Sequence, residues 1–516
     1  MSERLRALRN VMMSSATSVV ESMIGLAIGV VIARTLGPTD YGHYAFVIFL
    51  CGWLVSACNH ALTTSSIKFI AEARGSGEER LASAISARLQ RLQVASCLVV
   101  LTAFAGFVTW NPPDEWAGSA TLMLLLSVVA VWARAGFWML GAIGQGYERF
   151  DAINVGVVVA ALVQSVIALA LASAGAGMVA FVASFASSGI VMNLTVRAML
   201  RRYDIRPRTG EIPRVVLERM NRHLMLTGVL VVLSLGSNRA VETLVLKAYA
   251  TPEALGFLAI AASLTKGAVD LLSNGMSTIL LPAMSRAYGQ ADGRQLSRVV
   301  EESIRYYWFL GLLTAGVGAV AAEGAVRVLY GAEFVDAGRA TAALLVVAGL
   351  SSWQAAINAL QVSTDQQGVR VRITVATLTV NILLAWLLVP EWGLAGALAS
   401  IAATRAFSVW LSWMLARRSV HFSMPGAAMG RLALAAGVAA ALAFALDAGS
   451  DSAWMFVPCG MAFFVAFAFA SLILRTWTPE DFEMGTQVLR RIGLGRPRLL
   501  DALARLRTRF ADGGRG

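Results

Sequence analysis

The chain alternates between long apolar stretches and short polar connections along its whole length. A helix that crosses a hydrocarbon core of roughly 30 Å needs about 20 residues, and most of the apolar stretches are that long. The pattern therefore predicts an all-α polytopic membrane protein with about fourteen transmembrane helices. The predicted spans cover residues 11–34, 43–63, 90–110, 119–144, 152–173, 177–198, 223–249, 255–281, 304–322, 338–362, 372–389, 393–416, 430–447 and 453–474. The short, Ala-rich stretch 430–447 leaves counts of twelve or thirteen open.

Composition agrees with this pattern. Of the 516 residues, 57% are hydrophobic and only 14% are charged, whereas about a quarter of the residues in a soluble domain are charged. A water-soluble fold is excluded on this basis.

Basic residues follow the same alternation, since every second connection is rich in Arg and the connections between are nearly empty of it. Short loops rich in Lys and Arg stay in the cytoplasm, so we expect both chain termini to be cytoplasmic. The second connection contains Lys68, Arg74, Arg80, Arg88 and Arg91, whereas the third contains Asp114 and Glu115. Topology then explains the net charge of +12, and attraction to anionic lipid headgroups at the cytoplasmic face is a second effect. Nucleic-acid binding is not needed to explain it.

The segment that follows Arg475 is basic, and Leu and Phe recur in it at helical spacing. This spacing predicts an amphipathic helix on the cytoplasmic leaflet. A basic topological anchor without a specific partner is the simpler alternative.

The four Cys residues all lie in apolar spans, without a CxxC motif or a neighbouring His. Disulfides and a metal site are therefore not expected. The sequence has no Gly-rich phosphate loop with Lys and Ser or Thr, so ATP hydrolysis and a bound cofactor are not expected either.

The two halves of the chain contain an internal repeat. Residues 31–45 align with residues 245–259 without a gap at an offset of 214, and Pro38, Gly42 and Ala45 coincide with Pro252, Gly256 and Ala259. A second match pairs residues 177–184 with residues 393–400 at an offset of 216. Because the two offsets are nearly equal, duplication explains the matches better than chance. An even number of spans per repeat predicts two six-helix lobes related by an axis along the membrane normal, with the transported molecule between them.

The repeat gives the expected domain organisation. Residues 1–212 form an N-terminal lobe, residues 213–420 a C-terminal lobe, residues 421–475 an extra helix pair and residues 476–516 a basic, amphipathic cytoplasmic tail.

The repeated segment carries a family resemblance. Residues 33–45 (ARTLGPTDYGHYA) and 242–257 (ETLVLKAYATPEALGF) resemble polysaccharide flippases of the multidrug/oligosaccharidyl-lipid/polysaccharide exporter superfamily, which translocate O-antigen and exopolysaccharide units. The chain departs from the family pattern at Glu242, where an Asp is common, and at Leu258, where a Tyr is frequent. The resemblance implies a protein of the bacterial inner membrane that moves undecaprenyl-diphosphate-linked oligosaccharides from the cytoplasmic to the periplasmic leaflet. Polysaccharide polymerase machinery is a further candidate partner.

Transport of a diphosphate through the bilayer requires a hydrated, cationic cleft, so basic residues should lie at membrane depth. Each such residue costs about 2.5–3.5 kcal/mol at the centre of a helix, so it should face a cavity or a partner. The candidates for binding the substrate are Arg239, Lys266, Arg134, Lys247 and Arg405. Glu21, Glu242 and Asp270 are candidates for coupling to protons or Na⁺, or for permanent pairing with nearby cations.

Structural roles compete with these assignments. Arg239 with Glu242, and Lys266 with Asp270, are spaced to neutralise each other within one helix. Lys247 and Arg405 could extend to the membrane interface. Gln354, in the tenth predicted span, suits either sugar hydroxyls or hydrogen bonds between helices.

Two other functional classes are alternatives to a flippase. A drug or cation exporter of the same superfamily would share the two-lobed body but should have an acidic and aromatic cleft. A membrane glycosyltransferase or polymerase should carry a sizeable periplasmic loop with sugar-handling residues, and no such loop is present. The sequence therefore favours a transporter that is not an enzyme.

Overall fold

The computed structural model describes residues 3–483, apart from 60, 117, 238–239, 290–292, 365, 421 and 448–451. The described chain is almost entirely helical and contains no strand. The helices are α1 (Glu3–Asn59), α2 (Leu62–Gly75), α3 (Glu79–Trp110), α4 (Ala120–Gly146), α5 (Phe150–Ser173), α6 (Met178–Arg202), α7 (Arg214–Ser237), α8 (Ala240–Tyr249), α9 (Pro252–Gly289), α10 (Gly293–Tyr330), α11 (Val335–Leu350), α12 (Gln354–Ser363), α13 (Gln367–Ser419), α14 (Gly426–Asp447) and α15 (Phe456–Ile473). Short 3₁₀ turns cover Asp114–Trp116, Ala332–Phe334 and Ala453–Met455.

Two of these helices each contain two predicted spans. Helix α1 is interrupted at Gly37, whose φ is 72°, and helix α13 at Gly393, whose φ is 52°. Both values lie in the left-handed region, which glycine adopts at little cost. The first break falls in a predicted connection, beside Pro38, and the second falls at the first residue of the span predicted after Pro390.

Nine of the described helices are long and apolar enough to cross a membrane, or ten if the bent pair formed by Ala332–Leu350 and Gln354–Ser363 counts as one span. The all-helical, polytopic membrane fold is therefore confirmed. The count of fourteen spans is not confirmed and stays a prediction. Part of the difference arises because α1 and α13, which each contain two predicted spans, are each counted once among the nine helices.

The chain forms two compact units. The first contains Met1–Ala259 and Leu378–Ser400, and the second contains Ile260–Thr377 together with the chain from Ile401 onwards. In the first unit, α2, α3, α4, α5 and α6 enclose an apolar core that includes Phe69, Phe137 and Val196, each exposed by 1% or less. The lobe boundaries expected from the repeat stay a prediction.

The first unit includes pieces of the second half of the sequence. Helix α8, the first turns of α9 and residues 378–400 of α13 belong to it. According to the charge pattern, all of these pieces lie at or near the extracytoplasmic ends of their helices, called the outer ends below. The first unit therefore contains segments from both halves of the sequence.

In the second unit, α14 and α15 pack against each other and along α10. Their contact is apolar, with Leu432, Phe463 and Phe467 buried against α10 residues such as Leu312. The expected extra helix pair is thus attached to α10 by a continuous hydrophobic core. The expected cytoplasmic tail lies outside the described residues from position 484 onwards.

Candidate functional site

Arg134 lies in α4 and extends along α6. Its guanidinium group stacks on the ring of Phe185 at 3.6 Å from the ring centre and donates a hydrogen bond to the Ser188 hydroxyl at 2.7 Å. A longer bond, of 3.4 Å, reaches the Phe185 carbonyl oxygen, and the Met192 sulfur lies 3.8 Å away. These residues follow the i, i+3, i+7 spacing that puts them on one face of α6. The side chain is therefore held in one orientation by neutral partners.

No described carboxylate lies within hydrogen-bond distance of the Arg134 guanidinium group. Its Nε atom is buried and has no hydrogen-bond partner among the described residues. Among the described residues, its electrostatic neighbours in α1 are Tyr44, Cys51 and the carboxylate of Glu21. Glu21 is itself exposed. A guanidinium group in this setting can accept an anionic oxygen without first breaking an ion pair, because it binds phosphate with strong, charge-assisted hydrogen bonds.

Glu242 is buried where α8 meets α13. Only 1% of Glu242 and 5% of Asn381 is exposed, and the Asn381 amide donates a hydrogen bond of 2.5 Å to the Glu242 carboxylate. Sequence reasoning did not identify Asn381. The signal was available, since a single Asn in an otherwise apolar span needs a partner at membrane depth.

Lys247 lies at the outer end of α8 and pairs with Glu115, in the 3₁₀ turn that follows α3. Its ammonium group also lies 5.4 Å from the centre of the Phe46 ring, and His43 approaches Glu115 at 3.9 Å. Only 27% of the Lys247 side chain is exposed. This placement favours the interpretation of Lys247 as a residue near the membrane interface.

Both copies of the repeated segment meet at the outer end of the first unit, along a contact that we call the outer seam (Thr39, Gly42, Pro252, Glu253 and Gly256). A Cβ atom on Gly42 would overlap the carbonyl oxygen of Pro252, and one on Gly256 would lie 3.2 Å from the Cα atom of Gly42. The Thr39 hydroxyl donates a hydrogen bond of 2.5 Å to the Glu253 carboxylate. This bond is the main reason why the pKa of Glu253 is lowered.

The remaining candidates are placed as follows. Lys266 is exposed on α9, and Arg405 is exposed on α13, both within the second unit. Arg239 and the side chain of Asp270 lie outside the described part of the structure. The expected pairs of Arg239 with Glu242 and of Lys266 with Asp270 therefore stay predictions.

In the second unit, Gln354 has a structural role. Its amide donates hydrogen bonds of 2.9 Å to the hydroxyls of Ser408 and Ser412, which connect α12 to α13. Of the two alternatives left open by the sequence, the structure supports hydrogen bonding between helices for this residue.

A buried ion pair attaches the residues after α15 to α10. Arg305, of which 8% is exposed, donates to the Asp481 carboxylate at 2.7 Å. Asp481 also accepts hydrogen bonds from the Tyr306 hydroxyl and from the backbone N–H of Thr478. Sequence reasoning missed this contact because it assigned residues 476–516 to a surface helix.

No group of three or more His, Cys, Asp or Glu side chains in the described part of the chain could hold a metal ion. The four cysteines are buried and unbridged.

Comparison with known proteins gives a consistent result. A family model described as "Polysaccharide biosynthesis protein" matches residues 7–288. The comparison with curated proteins found no match.

Among solved structures, the chain is similar to the lipid II flippase MurJ in an inward closed conformation, with a TM-score of 0.73, 12% identity and coverage of 90% of this chain and 98% of that chain. It is also similar to a multidrug resistance MATE family transporter in an inward-facing conformation, with a TM-score of 0.65, 15% identity and coverage of 79% and 97%. A mutant of the Vibrio cholerae MATE transporter VcmN aligns with a TM-score of 0.56, 13% identity and coverage of 81% and 97%. At these identities the likeness establishes the fold.

Proposed function

This chain belongs to the polysaccharide biosynthesis protein family, and from that premise we propose that it flips an undecaprenyl-diphosphate-linked oligosaccharide from the cytoplasmic to the periplasmic leaflet. It is a polytopic membrane protein with the fold of flippases and transporters of one superfamily. Its family and structural neighbours are transporters and not enzymes. The proposed setting is the bacterial inner membrane, with both chain termini in the cytoplasm and cell-surface polysaccharide, such as O-antigen or exopolysaccharide, as the product.

The observation that carries the proposal is the state of Arg134. Its guanidinium group is oriented by Ser188 and Phe185 and has a buried Nε atom without a partner among the described residues. An unpaired cation at membrane depth is costly, so a role in binding an anion explains its presence better than a role in packing. A diphosphate offers several oxygens in the geometry that a guanidinium group binds.

The other candidate cations complete the proposed path for the diphosphate. Arg239, Lys266 and Arg405 would contact it at other depths, and Lys247 at the outer end, after release from Glu115. The lobes would rock about the bound head group while the lipid tail stays in the bilayer.

Glu21, Glu242 and Asp270 are the proposed coupling carboxylates. Glu242 is the best supported of them, because it is buried and its carboxylate accepts a hydrogen bond from the neutral amide of Asn381. A carboxylate in such a place can exchange a proton or a cation as access alternates between the two sides.

The MATE neighbours keep a multidrug or cation exporter as the second candidate, because they share the same fold. The charge of the binding path separates the two functions, since cationic drugs call for carboxylates where a diphosphate calls for cations.

The decisive experiment deletes the gene in the source bacterium and measures undecaprenyl-diphosphate-linked saccharides in lipid extracts. The deletion is complemented with the intact gene, with Arg134→Gln, or with the control Arg201→Gln, which removes an exposed cation from the last turn of α6. The proposal expects lipid-linked saccharide to accumulate in the deletion strain. The intact gene and Arg201→Gln should restore normal levels, whereas Arg134→Gln, present at equal protein level, should not.

Unchanged lipid-linked saccharide together with altered sensitivity to cationic drugs would reject the flippase and support the exporter. Full complementation by Arg134→Gln would leave the flippase in place but remove Arg134 from the binding path.

A further inference from the structure

A small cavity opens on the side of the first unit between α3, α4 and α6. Its empty volume is about 310 Å³, including the part that is open to the surface. The lining residues include Gln90, Gln93, Trp132 and Arg197. Three polar side chains therefore converge on a hollow that Arg134 and Glu242 do not line.

Arg197 brings a positive charge to this cavity without a carboxylate to balance it. Its Nε atom donates a hydrogen bond of 2.6 Å to the Asn193 side-chain oxygen, and the Asn193 amide in turn donates to the Ala133 carbonyl at 2.9 Å. No described carboxylate forms an ion pair with it. The side chain is thus oriented by a buried neutral group.

The mouth of the cavity lies on an exposed, apolar surface. Val94 and Trp132 line the cavity and remain 37% and 40% exposed. One turn from Val94 on α3, Leu98 is 56% exposed, and one turn before Arg197 on α6, Leu194 is 60% exposed. Exposed apolar side chains on the same helix faces are the expected contacts of acyl chains.

The depth of Arg197 suits a lipid head group. Helix α6 ends at Arg202, and a rise of about 1.5 Å per residue puts Arg197 roughly 7–8 Å from that end. The charge pattern assigns this end to the cytoplasmic face.

We propose that this cavity is a lateral site for the phosphate of an anionic membrane phospholipid in the cytoplasmic leaflet, with Arg197 as its ligand. Basic pockets between transmembrane helices on the cytoplasmic side bind anionic head groups in this way. Gln90 and Gln93 supply neutral polar contacts, and Val94 and Leu98 pack against the acyl chain. The inference is independent of the transported molecule, because the site is formed by the exposed faces of α3, α4 and α6.

The test uses the full chain, purified in detergent and stripped of lipid, with binding followed by native mass spectrometry. Phosphatidylglycerol is titrated against the intact protein, Arg197→Gln, Arg197→Lys and the control Arg201→Gln. A charged hydrogen bond contributes about 1.5–3 kcal/mol, so Arg197→Gln should weaken the tightest phosphatidylglycerol site about ten-fold or more. Arg197→Lys should keep most of the affinity, and Arg201→Gln should change it less than about two-fold.

A second variant covers the case in which Arg197→Gln does not fold. Val94→Trp should fill the mouth of the cavity from an exposed position and reduce binding while leaving the charge in place. Equal binding by Arg197→Gln and intact protein, or an equal loss in Arg201→Gln, would overturn the site.

Two further titrations identify the source of the phosphate. Phosphatidylcholine, whose phosphate is balanced by choline, should bind more weakly than phosphatidylglycerol. If farnesyl diphosphate displaced phosphatidylglycerol at equal concentration, and lost that ability in Arg197→Gln, the site would belong to prenyl diphosphates and the phospholipid assignment would be wrong.

Discussion

Thr39 and Glu253 are 214 residues apart and bonded to each other, with the Thr39 hydroxyl donating to the Glu253 carboxylate at 2.5 Å. The same offset of 214 aligns the two copies of the repeated segment, so these residues occupy equivalent positions in the two halves. Gly42 and Gly256 repeat the relationship, since they too are 214 apart and in close contact. In a symmetric pair, equivalent residues touch only near the two-fold axis. The outer seam therefore marks the pseudo-two-fold axis of the duplicated segment.

The close approach at the outer seam predicts a large effect of one methyl group. Gly42→Ala should lower the free energy of unfolding by about 1–3 kcal/mol, because the new Cβ would overlap the carbonyl oxygen of Pro252. Gly52→Ala, on the same helix, is the control, since a Cβ there meets nothing within 4 Å. Thermal unfolding of both variants in the same detergent measures the difference. If Gly42→Ala were as stable as Gly52→Ala, the two backbones would not be in the contact described.

The bond between Thr39 and Glu253 predicts a pH dependence of stability. It lowers the pKa of Glu253, so the folded state binds a proton here less readily than the unfolded state. The stabilisation is therefore present above the usual carboxyl pKa, near 4.5, and is lost as the pH falls through the lower pKa of the folded state. Thr39→Val should reduce the melting temperature at pH 7 more than at pH 3.5.

The control for that comparison is Thr109→Val, because the Thr109 hydroxyl is exposed and donates only within its own helix turn, to the Gly106 carbonyl. Its effect on the melting temperature should be small and equal at both pH values. A pH-independent loss in Thr39→Val would contradict the role assigned to the carboxylate.

The ion pair between Arg305 and Asp481 predicts that two neighbouring carboxylates contribute very differently to stability. Asp481→Asn leaves the buried Arg305 charge without its partner and should destabilise the protein by about 3–5 kcal/mol. Glu480→Gln removes an exposed partner of Arg298, and exposed pairs contribute about 0–1 kcal/mol. Unfolding of both variants by heat in detergent tests the contrast. Similar stabilities would show that residues 476–483 do not anchor to α10.

The contact between Glu242 and Asn381 separates a coupling role from a structural one. Glu242→Gln keeps the size of the side chain and a carbonyl oxygen for the Asn381 amide, so stability should change little. Under the proposed coupling role, transport by this variant should lose its dependence on the proton or Na⁺ gradient. Asn381→Leu, which leaves the carboxylate buried without its amide, should lower stability instead, by about 1–3 kcal/mol. Gradient-dependent transport by Glu242→Gln at the intact rate would exclude Glu242 as the coupling group.

Some parts of this structure could be predicted from the sequence because they depend on local physics. Apolar length predicted the helices, and the connection predicted near Gly37 is the point where α1 breaks. Helix α13 likewise breaks at Gly393, directly after a predicted connection. Glycine within three residues of a proline in an apolar chain is a local signal that requires no knowledge of the tertiary fold.

The partners of buried groups could not be predicted in the same way. Ser188 binds Arg134 because α4 and α6 pack together, and Asn381 meets Glu242 across 139 positions of sequence. The packing of helices against each other decides such pairs, and the residue periodicity within one helix carries no information about that packing. The assignment of residues 476–516 to one tail missed Asp481 for a related reason, since a charged residue in a polar segment gives no sign that it will be buried.

The outer seam also shows what a fused chain can do that a dimer of identical halves cannot. In a homodimer of identical halves, the positions of Thr39 and Glu253 would hold the same residue. That residue would face its own copy across the two-fold axis, and two glutamates there would repel each other. Joining the halves in one polypeptide frees each copy to change alone. One position can then be a hydrogen-bond donor and the other an acceptor, so the contact between the equivalent positions is directional.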